Sequence, residues 1–174
     1  MCSSDPGPVS IKLYRLTSRL LLALIASGTI AESSSCTPGG IKGAPRILFK
    51  SMTKYRGDTS RCNDQARVTA AVDSLAAVVA VARAVFECTE IVVVRTKNRF
   101  DPEYDAVPIG GYRDFQLLCL VEDPATPGTW RYCELQINLH RMVQIKAGLD
   151  AAGSSPCWGP WADGRSSTSS SRWS

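Results

Sequence analysis

Two segments in the C-terminal half of the chain alternate apolar and polar residues, and this alternation constrains the fold more than any other feature. They are Tyr112–Val121 and Trp130–Leu139, separated by the proline- and glycine-containing segment Glu122–Thr129. Successive side chains of a strand point to opposite faces, so each segment has one face for a core and one for solvent or a ligand. The turn residues between them predict an antiparallel hairpin.

The polar sides of the two strands carry Asp114, Gln116, Glu134 and Gln136. Both apolar sets must share one core, and a register with Gln116 opposite Glu134 satisfies that condition. The same register puts Asp114 opposite Gln136, which places two carboxylates close enough to share one cation. We expect this polar face to be the functional site. The alternative, an edge hairpin whose polar face is merely solvated, is equally compatible with the alternation.

Upstream of the hairpin, strands and helices alternate. Arg67–Val72 reads as a strand, and Asp73 or Ser74 then caps a helix that runs to about Cys88. This helix is apolar nearly all round, so we expect it to be well buried. The β-branched run in Glu90–Lys97 predicts a further strand, joined by a parallel crossover. The predicted fold is α+β, a mixed β-sheet with a C-terminal antiparallel hairpin, flanked by helices.

A basic helix is predicted at Pro45–Tyr55. Its apolar side carries Ile47, Leu48 and Met52, and a second stripe carries Arg46, Lys50 and Lys54. Three cations on one helix face repel each other, so an anion held between them would relieve the repulsion. A solvated basic face explains the same residues.

The cysteine and histidine content limits the metals that the chain could use. The seven cysteines include no Cys-x-x-Cys pair, and the sequence has one histidine, His140. This predicts buried, reduced thiols in a reducing compartment and makes a zinc site improbable. A hard cation on carboxylates, such as Mg²⁺, remains compatible with the sequence.

The sequence divides into a folded middle at residues 44–150 and two ends. Residues 1–43 contain a basic region with Lys12, Arg15 and Arg19, followed by a short apolar run. This order fits a signal or transit peptide, a packed amphipathic helix or a misassigned translation start. We expect a cytoplasmic or organellar protein. The run is too short for stable membrane insertion. Glu32–Gly40 reads as a linker, and the Ser- and Trp-rich residues 151–174 as a disordered tail.

Three short motifs in order resemble the RelA/SpoT-type synthetase domain, which has a nucleotidyltransferase-like fold. They are Asp64–Arg67 leading into a strand, Gly110–Asp114 opening the hairpin and Glu134–Ile137 on its return strand. Lys97–Phe100 matches the divergent eukaryotic relatives in particular. The resemblance covers roughly residues 45–146, and three ordered motifs are more specific than any one of them.

The resemblance implies a magnesium-dependent transferase that moves pyrophosphate from ATP to the 3′-hydroxyl of a guanine nucleotide. Glu134 would be the catalytic carboxylate and Asp64 the metal-binding aspartate. Tyr112 would stack on the acceptor base. Asp114 stands where the family has Ser, which makes it an extra metal ligand or a sign of altered chemistry. The other residues implied in substrate binding are Arg46, Lys50, Lys54, Arg67, Arg113 and Gln136.

The chain also departs from the family pattern near the acceptor. Gln116 replaces a histidine, and Asn138 replaces an arginine. Two hypotheses therefore stand: an active nucleotide transferase, and a catalytically inactive domain that keeps the fold as a binding or scaffold module. An RNA binder ranks below both, because the basic residues lack interleaved aromatics, and nothing indicates DNA binding.

Overall fold

The computed structural model describes residues 7–39, 44–58 and 66–151. Asp64 and the tail beyond Ala151 lie outside the described residues. Within the described ranges the elements are, in order, α1 (Pro8–Ala26), β1 (Ser35–Gly39), α2 (Ala44–Tyr55), β2 (Ala66–Val72), α3 (Leu75–Glu87), β3 (Val92–Asn98), a short 3-10 helix (Val107–Ile109), β4 (Phe115–Glu122), β5 (Trp130–Leu139) and α4 (His140–Ala151).

The strands form one five-stranded sheet in the order β1-β2-β5-β4-β3. β2 and β5 are parallel, and the other neighbouring pairs are antiparallel. β3 therefore runs parallel to β2, with β5 and β4 between them. The predicted mixed sheet and its C-terminal hairpin are confirmed.

The predicted register of the hairpin is wrong by two residues. Gln116 lies opposite Gln136, and Glu134 lies opposite Leu118. Asp114 directly precedes β4 and is not opposite Gln136 in the ladder. A shift of two residues keeps every side chain on its face, so alternation alone cannot distinguish the two registers.

The apolar face of the sheet forms the core together with α1 and α3. The sheet contributes fully buried side chains from three adjacent strands: Val68 and Val72 of β2, Leu135 and Ile137 of β5, and Leu117 and Cys119 of β4. The opposite face of the same strands carries the polar residues of the candidate site.

The N-terminal residues belong to this core. Leu13 and Leu16 of α1 are buried, and the Ser10 hydroxyl bridges to the backbone N–H and C=O of Arg67. Of the three interpretations of this segment, the structure shows a packed helix. The predicted linker is wrong over Ser35–Gly39, which forms the edge strand β1. Because β1 is held by backbone hydrogen bonds, it needs no apolar alternation that a sequence pattern would reveal.

Helix α3 begins as predicted, with the Ser74 hydroxyl accepting from the N–H of Ala77 at 3.1 Å. The expectation that this helix is well buried holds for one side only, because Val81 is fully buried while Val79 is 57 % exposed. Only one side of the helix meets the sheet and α1, and its other apolar side chains face outward. Among the described residues, no helix is long and apolar enough to cross a membrane.

Candidate functional site

The polar face of the sheet is continuous across four strands. In the central strands Arg67 pairs with Glu134, and Thr69 pairs with Gln136. Gln116 of β4 continues the second of these rows. β3 extends the same rows with cations, since Lys97 lies opposite Gln116 and Arg95 opposite Leu118.

Several polar side chains on this face are buried rather than solvated. Asp114 is fully buried, and Asn138 and Gln136 are only 2 % and 6 % exposed. Buried polar groups need hydrogen-bond partners. Gln136 bonds to Glu134 on the same face, whereas Asp114 and Asn138 bond to Arg99 and Tyr112, which come from the loop before β4. A merely solvated hairpin face is therefore excluded at these positions.

Glu134 lies at the centre of the face with its side chain 16 % exposed. Its Oε1 accepts a hydrogen bond from Gln136 Nε2 at 2.6 Å and lies 3.3 Å from Arg67 Nε. Both contacts use the same carboxylate oxygen. The Arg67 Nε is buried and makes no aligned hydrogen bond to any described residue. The guanidinium charge of Arg67 is thus paired with the Glu134 carboxylate, although the Nε–H does not donate a hydrogen bond to it.

Tyr112 reaches the face from the loop before β4. Its hydroxyl donates to Asn138 Oδ1 at 2.7 Å. Burial, reinforced by the charge of Asp114, raises the pKa of Tyr112 well above its ordinary value, so the phenol stays a neutral donor. Gly110 and Gly111 precede it with φ of 67° and 77°, a left-handed pair that favours glycine.

Asp114 is engaged at both carboxylate oxygens. Arg99 Nη1 donates to Oδ1 at 2.6 Å, and Gln116 Nε2 donates to Oδ2 at 3.0 Å. Burial alone would lower the pKa of the Arg99 guanidinium, but the attraction and hydrogen bond of Asp114 outweigh it and raise the pKa above the ordinary value. The predicted metal ligand is thus the counter-ion of Arg99, whose side chain is 16 % exposed.

Arg113, predicted to bind substrate, contacts the protein backbone. Its Nη1 donates to the carbonyl oxygens of Arg99 at 2.8 Å and Asp101 at 2.7 Å, and its Nη2 donates to that of Tyr104 at 3.2 Å. The guanidinium thereby closes the loop between β3 and β4.

The predicted phosphate-binding cations lie on α2. Lys50 is half-buried and Lys54 is exposed, one turn apart. The side chain of Arg46 lies outside the described residues. The predicted apolar stripe of this helix is not buried as a unit, since Leu48 is 55 % and Met52 66 % exposed.

A divalent cation finds few ligands in the described part of the chain. Among residues 7–39, 44–58 and 66–151, no group of three or more His, Cys, Asp or Glu side chains could hold a metal ion. Of the three predicted ligands, Glu134 keeps one carboxylate oxygen clear of Arg67 and Gln136, Asp114 is engaged by Arg99, and Asp64 lies outside the description. Glu134 is therefore the one predicted ligand with an unengaged carboxylate oxygen among the described residues.

Two residues of this site have contacts that the sequence patterns did not predict. The alternation puts Asn138 on the same side of the strand as Glu134 and Gln136, but it does not indicate the hydrogen bond from Tyr112. Arg99 lies in a loop without periodicity, and its partner Asp114 is 15 residues away. No local pattern indicates a contact of that kind.

This arrangement, a five-stranded mixed sheet with flanking helices and a polar face opening at the hairpin, is the fold of GTP pyrophosphokinases and small alarmone synthetases. A GTP pyrophosphokinase family protein from Streptococcus pneumoniae superposes with a TM-score of 0.66 at 14 % identity, covering 84 % of this chain and 74 % of that one. No protein-family model matches the chain, and no curated protein matches it.

Small alarmone synthetase 1 from Bacillus subtilis has the same fold in two ligand states. Its structure bound to pppGpp gives a TM-score of 0.64 at 16 % identity, over 83 % of this chain and 76 % of that one. Its structure bound to AMPCPP gives 0.59 at 15 % identity, over 83 % and 73 %. At such identities the likeness establishes the fold.

Proposed function

We propose that the protein is a magnesium-dependent nucleotide transferase that moves pyrophosphate from a nucleoside triphosphate, with ATP as donor, to a guanine nucleotide. One observation carries the proposal. Glu134, Gln136 and Arg67 converge on the polar face of a sheet that has the fold of alarmone synthetases. Solved neighbours with this fold bind pppGpp and AMPCPP, which supports nucleotides as ligands.

In the proposed reaction, the 3′-hydroxyl oxygen of the acceptor attacks the β-phosphorus of ATP. The bond from that phosphorus to the α–β bridging oxygen breaks, AMP leaves, and the hydroxyl proton passes to Glu134. Gln136 fixes Glu134 by its 2.6 Å hydrogen bond, which sets the direction of the carboxylate. Arg67, whose side chain is 26 % exposed, supplies a cation for the phosphates beside that carboxylate.

The metal would be held by Glu134 and Asp64. Bound there, Mg²⁺ would neutralise charge on the transferring phosphates. Asp114 could serve as a third ligand only if Arg99 released it, which would leave a half-buried guanidinium without its counter-ion. We therefore place Asp114 outside the metal set in this proposal.

A catalytically inactive binding module is the second candidate, and one observation favours it. Arg113 and Asp114, both expected to contact ligands, are committed to internal hydrogen bonds. Such a module would bind a nucleotide on the polar face of the sheet without catalysing the transfer reaction.

The deciding experiment uses the full chain with Mg²⁺, labelled ATP and a panel of nucleoside di- and triphosphate acceptors. Glu134→Gln removes the proposed base with almost no change in size. Glu122→Gln makes the same chemical change on the exposed hairpin end, where Glu122 pairs with Lys12 at 3.5 Å, and is the matched control. Transfer that is lost only in Glu134→Gln supports the enzyme. Magnesium-dependent binding without transfer supports the binding module, and neither binding nor transfer overturns both.

A further inference from the structure

The loop between β3 and β4, residues 99–113, is fixed by side chains that the proposed chemistry does not use. Arg113 donates three hydrogen bonds to backbone carbonyls within the loop, at Arg99, Asp101 and Tyr104. One guanidinium therefore joins the beginning, the middle and the end of a segment that lacks strand pairing. Its planar set of donors suits this task better than a lysine ammonium would.

The Arg99–Asp114 ion pair anchors the loop to the sheet. The backbone N–H of Arg99 donates to the Asp114 carbonyl at 2.9 Å, and their side chains meet at 2.6 Å. Arg99 Nε also donates to the Tyr104 hydroxyl at 3.3 Å. Because Asp114 is fully buried, this contact is a fixed part of the fold and not a surface ion pair that solvent would loosen.

Tyr112 is the residue that the loop delivers to the polar face. The N–H of Gly111 donates to the carbonyl of Ala106 at 2.9 Å, which closes the turn just before Tyr112. At its far end the side chain is held by Asn138. The backbone turn, the arginine contacts and the Asn138 hydrogen bond together leave this half-buried ring little freedom.

We propose that Arg99, Arg113 and Asp114 are positioning residues that hold Tyr112 in place for the base of the acceptor nucleotide. This assignment rests on the proposed function and names the substrate that depends on the loop. A ring that is ordered before binding costs less entropy when a purine stacks on it, so loosening the loop weakens acceptor binding. The donor triphosphate, which meets Glu134 and Arg67, does not depend on the loop.

The test compares Asp114→Asn and Arg113→Gln with Asp123→Asn in the full chain. Asp123 pairs with Arg131 at 3.2 Å on the hairpin turn and is the matched control for loss of an ion pair. We expect both loop variants to weaken GDP binding about tenfold, a size typical of one lost charge-assisted hydrogen bond. Binding of an α,β-methylene analogue of ATP should change less than about twofold, and Asp123→Asn should affect neither ligand.

Amide hydrogen exchange over residues 99–112 gives a second readout that needs no ligand. We expect faster exchange in both loop variants and unchanged exchange in Asp123→Asn. If the loop variants weaken binding of GDP and of the ATP analogue equally, the acceptor assignment is overturned. If amide hydrogen exchange over residues 99–112 is unchanged in these variants, the positioning role is overturned. Wild-type protein that binds neither nucleotide overturns the proposed function together with the acceptor assignment, and loop exchange still decides the positioning role. Arg113→Gln changes a half-buried residue and keeps the test valid if Asp114→Asn does not fold.

Discussion

Arg99 and Asp114 form an ion pair inside the protein, with Nη1 and Oδ1 2.6 Å apart and the Asp114 side chain fully buried. Removing two charges from water is costly, and their attraction repays that cost only when hydrogen bonds also satisfy the remaining polar atoms. Gln116 and Tyr104 provide such bonds. The pair therefore adds little net stability while intact, and its disruption leaves one buried charge uncompensated.

Replacing Arg99 with Met is expected to destabilise the fold by about 3–5 kcal/mol, because it leaves the Asp114 carboxylate buried without its partner. Urea unfolding followed by circular dichroism measures the change. Arg131→Met removes the corresponding cation of the more exposed pair with Asp123, where the arginine side chain is 58 % exposed, and should cost less than about 1 kcal/mol. Equal losses in the two variants would contradict the special role of the buried pair.

Helix α1 supplies the second prediction, which tests whether the N-terminal segment is part of the fold. Leu13 is fully buried and Leu22 is 66 % exposed on the same helix. Leu13→Ala should lower the free energy of unfolding by about 2–5 kcal/mol, since it removes buried methyl groups and leaves a cavity. Leu22→Ala should change it by less than about 0.5 kcal/mol. A Leu13→Ala variant as stable as the wild type would show that α1 does not pack on the sheet in solution.

Sequence patterns predict those helices and strands that have a regular apolar repeat in their own residues. The second hairpin strand was predicted at Trp130–Leu139, and β5 has the same limits. Its apolar side chains recur at every second position, and that local rule is sufficient to define a half-buried strand. The edge strand β1 has no such alternation in its sequence. It is held by backbone pairing to β2.

The sequence predicts the location of the site better than the roles of its individual residues. Alternation and resemblance identified the face of Glu134 and Gln136, which the structure brings within hydrogen-bonding distance. Asp114 was assigned to a metal because a carboxylate beside another carboxylate suggests a cation. Its actual partner is Arg99, the first residue after β3. Contacts between segments that are distant in sequence depend on the topology of the fold, and local residue spacing does not reveal them.

The buried thiols give a pH dependence with a defined sign. Burial raises the pKa of Cys36 from 9.0 to about 11 and that of Cys119 to about 12. Burial also raises the pKa of Cys133, and the neighbouring Cys119 makes a smaller contribution in the same direction. Between pH 9 and the folded-state values, the unfolded chain releases thiol protons that the folded chain retains. Stability is therefore unaffected by these groups below pH 9 and falls as the pH rises above it.

Chemical unfolding at several pH values between 7 and 10.5 measures this effect, with a slope of up to about 1.4 kcal/mol per pH unit for each thiol. Cys119→Ala removes one titrating group and should reduce the alkaline slope, although it also lowers stability at neutral pH by leaving a small cavity. An alkaline slope that is the same in Cys119→Ala as in the wild type would contradict the raised pKa of Cys119.

Glu134 and Arg67 supply the last prediction, because their 3.3 Å contact joins the proposed base to a cation with an unused donor. Glu134→Gln should reduce pyrophosphate transfer by about 10²–10⁴-fold, the usual contribution of a positioned general base. Arg67→Gln should instead raise the KM for the triphosphate, since its proposed partner is a phosphate present in the ground state. Their side chains are only 26 % (Arg67) and 16 % (Glu134) exposed, so each variant also breaks a partly buried ion pair and should lose about 1–3 kcal/mol of folding free energy. Steady-state kinetics with varied ATP, alongside thermal unfolding of each variant, separates the two roles. If Arg67→Gln lowers kcat as strongly as Glu134→Gln and leaves the KM unchanged, Arg67 serves to hold the carboxylate and does not bind the donor.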